Sequence, residues 1–322
     1  MNLSDIAQQF STENQAREFL EKTLWPNGAV CPHCGVIGES YRLNPQPNGK
    51  SHVRPGVWKC GECRKQFTVR VGTIFEDSHI PLHKWLQAIH LLCASKKGMS
   101  SHQIHRMLGI TYKSAWFMTH RIRHAMKAKP TSQMTGTVEV DETYIGGKLR
   151  VGSYAVKPGE RPKDRLAGVA NKTPVVALVE RNGRVRSFAV ETVTAKNLKP
   201  ILAEHIAEEA RLNTDENKVY HFARKHFAGH DVVNHARKEY ARIEADGRLA
   251  STNTVEGFFS LLKRGVNGTF HHLSKHHLHR YLSEFDFRYN ARDVSDGERT
   301  EQAIQSVVGK RLMYRTRLSS QN

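Results

Sequence analysis

The sequence predicts a multidomain α/β protein: an N-terminal zinc ribbon, a helix-turn-helix, and a mixed-sheet domain behind them. Three observations predict it. Two Cys-x-x-Cys knuckles, Cys31–Cys34 and Cys60–Cys63, fall within residues 12–75. Residues 76–130 hold helical-period apolar stripes on either side of a glycine turn. From 131 to about 292, short β-like runs alternate with helical ones, the order expected of a mixed sheet covered by helices. Residues 293–322 read as a C-terminal tail.

Composition narrows the function classes. The chain has 322 residues, 39% of them hydrophobic, enough for one large or two to three modest domains. Lys+Arg is 49 against Asp+Glu 31, a formal net charge of +18, which points to a polyanionic partner such as nucleic acid. No apolar run reaches the roughly 18 residues of a membrane-spanning helix. Met1–Gln9 carries Asp5 and no basic region, unlike a signal peptide. A cytoplasmic chain is therefore expected, and its five cysteines read as metal ligands plus one spare rather than bridges.

The front end opens with a helix. Thr12 and Gln15 form a capping-box pair, and Ala16, Phe19, Leu20 and Leu24 follow at helical spacing. Pro26-Asn27-Gly28 ends it. Each knuckle lets two sulfurs converge from one tight turn, eased by Gly35 and Gly61. Together the four cysteines fit a closed tetrahedral Zn²⁺ site, structural rather than catalytic. His33 reads as a knuckle side chain, and Trp58, Phe67 and Phe75 as the ribbon's small core. Cys93 lies in an apolar helical stretch and reads as a core residue.

In the helical middle, Trp85, Ile89 and Leu92 mark one helix, broken by Lys96-Lys97-Gly98. Ser100 or Ser101 caps a second, with Ile104, Met107 and Leu108 inward; Gly109 turns; Thr111 caps a third carrying Ala115, Trp116, Met118 and Ile122. Lys113, Arg121, Arg123 and His124 on this third helix suit phosphate or base contacts.

In the last domain, residues 137–145 read as a strand stopped by Gly146-Gly147. Residues 148–172, basic and holding Gly and Pro, read as a long loop. Pro174–Glu180 and Arg184–Glu191 read as a hairpin around Asn182-Gly183. A helix over about 195–209, a strand ending at Asp215, and helical segments over much of 219–245, 254–264 and 274–290 complete it. With 31 acids present, placement decides which matter. Asp141 and Asp215 end strands and Glu256 begins a helix, an arrangement able to gather around a pair of Mg²⁺ or Mn²⁺ ions. Such a pair activates a water or a 3′-hydroxyl and stabilises the leaving oxygen, the chemistry of phosphodiester cleavage and strand transfer. Lys263 lies two turns beyond Glu256 on the same helix face, with Arg264 beside it, positioned to hold phosphate. Alternatives stay open. Asn253 with Glu256 resembles a capping box, so Glu256 caps the helix or Asn253 is itself the ligand. Glu139 competes with Asp141, and Asp231 with Asp215; Glu142 and Glu216 are expected to face elsewhere.

These residues carry a family resemblance. Val138-Glu-Val-Asp-Glu-Thr-Tyr-Ile-Gly-Gly-Lys148 resembles the first catalytic segment of prokaryotic insertion-sequence transposases of the DDE type, in the branch with an N-terminal zinc ribbon. Asn253–Gly265 followed by Gly268-Thr-Phe-His271 resembles that branch's third segment, His277–Asn290 its closing helix, and Cys31–Phe75 its ribbon. The resemblance implies an RNase H-like catalytic fold over 131–292, with Asp141, Asp215 and Glu256 or Asn253 as metal ligands and Lys263 at the usual offset. It also implies double-stranded DNA as partner, both terminal inverted repeats and target, bound by a homodimer or higher oligomer at the prokaryotic nucleoid, with no membrane. The competing function is a DNA-binding regulator derived from a transposase whose catalytic domain is inactive; a junction-resolving nuclease fits the front end less well.

Overall fold

The computed structural model describes residues 3–44, 53–128, 132–147 and 172–313. The expected boundary at Pro130 and Thr131 and nearly all of the basic loop at 148–172 lie outside the described residues. The chain divides into two compact units, residues 1–127 with 291–322, and residues 128–290.

The first unit opens with α1 (Leu3–Gln9), which the sequence reading missed, and α2 (Glu13–Leu24), held by the expected Thr12/Gln15 capping box. Strands β1 (Ser40–Arg42), β2 (Trp58–Cys60) and β3 (Gln66–Phe67) form the antiparallel ribbon. Ala29, Cys31, Cys60 and Phe67 are its buried core, flanked by Trp25 and Trp58 in an edge-on pair at 5.8 Å. Phe75, expected there, packs instead edge-on against Trp85 at 5.3 Å.

Helix α3 (Leu82–Ala94) ends before Gly98, whose φ of 89° takes the chain out of helical geometry. Helix α4 (Ser101–Leu108) starts from a Ser100/Gln103 capping box and stops at Gly109 in the left-handed region. Thr111 caps α5 (Tyr112–Ala125). Helix, short glycine turn, helix is as the stripes predicted, except that Met107 is 52% exposed rather than inward.

The segment expected as a tail is part of this unit. Ser295 and Glu298 make a capping box for a helix over Asp296–Gln305, which buries Ala303 and Ile304 and packs on α3. His90 Nδ1 lies 3.0 Å from Thr300 Oγ1, and Arg299 donates to the Cys93 carbonyl. Cys93 is fully buried, a core cysteine as predicted.

The second unit is a five-stranded mixed sheet in the order β6-β5-β4-β7-β8. Strands β4 (Thr137–Ile145), β5 (Thr173–Glu180) and β6 (Val185–Ala189) form an antiparallel meander; Asn182, at φ 59°, makes the tight turn between the last two. After α6 (Ala195–His205), β7 (Arg211–Thr214) joins the other side of β4 in parallel, and β8 (Gly229–Val232) follows parallel to β7. This is the mixed sheet that the RNase H-like expectation required. One face buries Val138, Val140 and Leu212 under Leu198 and Leu202 of α6. The other buries Val175, Ala177 and Val179 under α7 (Asn253–Gly265) and α8 (Leu278–Asn290).

Strand β6 is the sheet's edge, and α8 closes it. Asn290 accepts from the Val185 N–H and donates to its carbonyl, while Asp286 accepts from the N–H and hydroxyl of Ser187. Residues one helical turn apart thereby satisfy the outward backbone groups of the edge strand.

Residues 219–245 correct the sequence reading. Instead of long helices they form a 3₁₀ segment (Lys218–Lys225), β8, a short 3₁₀ turn (His235–Arg237) and a hairpin of β9 (Ala241–Ile243) with β10 (Leu249–Ser251). Gly229, the adjacent Val232-Val233 and the turn-forming Asn234 disfavour helix locally, and pairing with β7 decides the outcome.

A cysteine centre and a candidate carboxylate site

The two knuckles form as their spacing predicts. Gly35, at φ 81°, donates to the Cys31 carbonyl, and Cys31 to that of Val36. At Gly61 a side chain would meet the Glu39 carbonyl at 2.7 Å, so only glycine allows the close approach. The sulfurs of Cys31 and Cys63 lie 3.6 Å apart, as do those of Cys34 and Cys60, and all four fall within 4.8 Å of one another. Four sulfurs this close, in two pairs from two turns, are the donor set of a closed tetrahedral Zn²⁺ site. His33 is exposed and outside the group.

The cations predicted on α5 separate into two kinds. Lys113 is exposed in the first turn. Arg121 and Arg123 are buried, which removes them as DNA contacts. Arg121 donates to the carbonyls of Ile74, Glu76 and Leu312, and Arg123 to that of Met99. The C-terminal half of α5 is interior, so its arginines satisfy backbone carbonyls that the packing takes from water.

In the second unit the sheet brings three carboxylates together. Asp141 sits in the middle of β4 rather than at a strand end as expected, because pairing with β5 runs on to Ile145; Asp215 directly follows β7, and Glu256 lies in the first turn of α7. Asp141 is pushed up to about 7, first by burial, with further contributions from the charges of Glu142, Asp215 and Glu256; the Glu142 N–H opposes. Burial also raises Asp215, against an N–H bond from Asn217 at 3.1 Å. Glu256 remains 45% exposed. The three do not crowd like the sulfurs: among the described residues, only the cysteines gather at least three ligand atoms within 4.8 Å. Two desolvated aspartates, with the Glu256 charge near enough to act on Asp141, carry a charge excess that a hard divalent cation would neutralise, and oxygen donors suit Mg²⁺ or Mn²⁺.

The neighbouring acids sort by strand geometry. Glu142, one residue on from Asp141, points to the opposite face of β4 and accepts from Tyr220 Oη at 2.5 Å and Asn217 Nδ2 at 2.8 Å. Glu216 accepts from the backbone N–H groups of His235 and Ala236. Asp231, the alternative to Asp215, is held by Arg211 at 3.2 Å and Arg248 at 2.8 Å. Glu139, the alternative to Asp141, does share its strand face. It is fully buried, however, and accepts from the N–H groups of Thr254 and Val255 and from Arg181.

That last contact resolves the start of α7. The expected Asn253/Glu256 capping box does not form: Thr252 is the N-cap residue and makes no side-chain cap bond. Glu139, reaching across from β4, caps the helix instead, and Glu256 faces outward, accepting from Thr252 Oγ1 at 3.2 Å. Asn253 is exposed on the same turn. Lys263 and Arg264 are exposed at the helix's far end. His235, which sequence reasoning passed over inside a supposed helix, puts Nε2 3.6 Å from Glu256 and 3.2 Å from Thr252 Oγ1. Its only sequence signal is the Asn234-His235 pair after two valines, the pattern of a turn closing a strand.

Fold and site together define a zinc-ribbon protein with a mixed-sheet domain in which Asp141 lies within electrostatic reach of Asp215 and Glu256. Residues 133–290 match the ISXO2-like transposase domain, and residues 11–66 the transposase zinc-ribbon domain. The chain belongs to the insertion-sequence transposase family with an N-terminal zinc ribbon and a DDE-type domain. It is also 26% identical over 294 residues to an uncharacterized protein in transposable element ISH50 of Halobacterium salinarum, covering 87% of this chain and 91% of the relative. No helix among the described residues is long and apolar enough to cross a membrane.

Proposed function

We propose that this protein is an active DNA transposase that binds the terminal inverted repeats of its own element and catalyses metal-dependent strand cleavage and strand transfer. One observation carries the reading. Asp141, buried on β4, feels the charges of both Asp215 beyond the adjacent strand and Glu256 on α7, in a chain of the transposase family. Bound there, a pair of Mg²⁺ or Mn²⁺ ions would supply activation of the attacking oxygen and stabilisation of the leaving one. Asp141, Asp215 and Glu256 hold the ions. Glu256 is preferred to Asn253 because Glu139 already supplies the helix cap, which leaves the Glu256 carboxylate available. Lys263 and Arg264 hold DNA phosphate, and Lys113 contacts the duplex from the start of α5. The four cysteines bind structural Zn²⁺. The protein works at the nucleoid as a dimer or higher oligomer, since two element ends must be joined. An intact carboxylate set speaks against the inactive regulator.

The test uses DNA spanning the boundaries of the element that encodes the protein. With Mg²⁺, the purified protein cuts at those boundaries; Glu256→Ala loses cutting while Asn253→Ala keeps it. Binding to the ends without any cutting would favour the regulator. Loss of cutting in Asn253→Ala alone would make Asn253 the ligand.

A further inference from the structure

The two aspartates have matching neighbours. Glu139 lies two residues before Asp141 on β4, Asn213 two residues before Asp215 at the end of β7, and the two are register partners in the parallel pair. With a side-chain period of two, each neighbour shares its aspartate's sheet face. Both are buried and both reach the segment leading into α7. Glu139 accepts from Thr254 N–H at 2.7 Å, Val255 N–H at 3.1 Å and Thr254 Oγ1 at 2.9 Å. Asn213 Nδ2 donates to the Ser251 carbonyl at 3.2 Å. Arg181, beside the β5–β6 turn, ties the set together: it donates to Glu139 at 2.7 Å, to the Leu249 carbonyl at 2.7 Å and to Ser251 Oγ at 3.1 Å.

We infer that Glu139, supported by Arg181 and Asn213, is a positioning residue that fixes the first turn of α7 against β4 and β7 and so sets Glu256 opposite Asp141 and Asp215. The inference rests on the proposed function, in which those three carboxylates hold divalent metal. Glu256 is the most exposed of the three and sits on a helix whose own N-cap side chain makes no cap bond to the helix backbone. Its place relative to the strands is therefore set through the buried layer beneath it. A carboxylate accepting two backbone N–H groups at a helix N-terminus, backed by a guanidinium, is a rigid anchor. Glutamine in its place keeps the shape but turns an amide donor toward donors.

The experiment titrates Mn²⁺ into the full-length, zinc-loaded protein by electron paramagnetic resonance and follows hydrogen exchange at the Thr254 and Val255 amides. The wild type binds Mn²⁺ and Asp215→Asn does not. Glu139→Gln weakens Mn²⁺ binding by about tenfold or more, the scale of losing a group that orients a metal ligand, and speeds exchange at both amides. Arg181→Met, at a side chain 25% exposed, acts in the same direction and serves if Glu139→Gln does not fold. Faster exchange with wild-type Mn²⁺ affinity overturns the inference, leaving Glu139 a helix cap and nothing more. Unchanged exchange also overturns it. Mn²⁺ binding that survives Asp215→Asn overturns the proposed function itself, and the inference with it.

Discussion

The cysteine centre and the proposed carboxylate site would gather ligands for a cation by opposite means. The sulfurs come from two local turns, and all four lie within 4.8 Å of one another. The carboxylates come from β4, the end of β7 and the start of α7, and keep a more open arrangement. The first site is closed and suits a structural ion. The second, as proposed, holds the reacting ions, and the inferred brace, Glu139, is distant in sequence from the helix start it bonds. A centre that only holds the fold can be written in local spacing; one that reacts has to be assembled by the fold.

That contrast can be broken in order of effect. The largest change is expected at the sulfurs. Removing Zn²⁺, or Cys60→Ala, should unfold the ribbon, because structural zinc contributes on the order of 10 kcal/mol to such modules. Circular dichroism and end binding read it, and a chelated protein that keeps its fold and affinity would sever the cysteines from the ribbon's stability. At the carboxylates the fold should survive and the chemistry should not. Asp141→Asn is expected to cut at least about 10²–10³-fold more slowly, the scale of losing one preorganised transition-state contact, with end binding unchanged in gel shifts.

A smaller effect separates the two kinds of cation on α5. Arg121→Ala strands three carbonyls that Arg121 now satisfies and should lower stability by about 3 kcal/mol. Lys113→Ala should leave the melting temperature unchanged, weaken binding across DNA sequences and reduce the salt slope by about one. Equal melting of the two variants would contradict the burial that distinguishes them.

The pH dependence sharpens the carboxylate side further. Asp141 is raised in the folded protein to about 7, mainly by burial, from an ordinary aspartate value near 4 when unfolded. Its neutral form is thus favoured by folding. The stability it contributes is complete below about pH 4 and is lost as pH rises through about 7. Thermal melts of the zinc-loaded protein without Mg²⁺ should fall over that window, Asp141→Asn should flatten the fall, and Mg²⁺ should restore the wild type above pH 7. A fall that persists unchanged in Asp141→Asn would assign it to other groups.

Much of this was legible in the chain because it is local. The knuckles, the Thr12/Gln15 capping box, the Asn182-Gly183 hairpin and the strand over 137–145 all depend on neighbours a few residues away. What was hidden depends on distant partners. Arg121 and Arg123 have the spacing of a basic reading face, and only the packing of α5 shows that they are interior. The helix over Asp296–Gln305 carried a readable Ser295/Glu298 cap, but its place on α3 is a contact made across the length of the chain. Glu256 had an equally good local reading as a capping-box residue. It lost that role to Glu139, more than a hundred residues earlier in sequence.

Asp141 in the middle of β4 and Asp215 just past β7 are proposed to hold the metal that cuts DNA at the ends of the element. The most direct test is cleavage of a DNA carrying one element boundary by wild type and Asp215→Asn, at matched end binding, with Mg²⁺ present. The wild type should release a product cut at the boundary and Asp215→Asn none. Cleavage by Asp215→Asn at the wild-type rate would contradict the account.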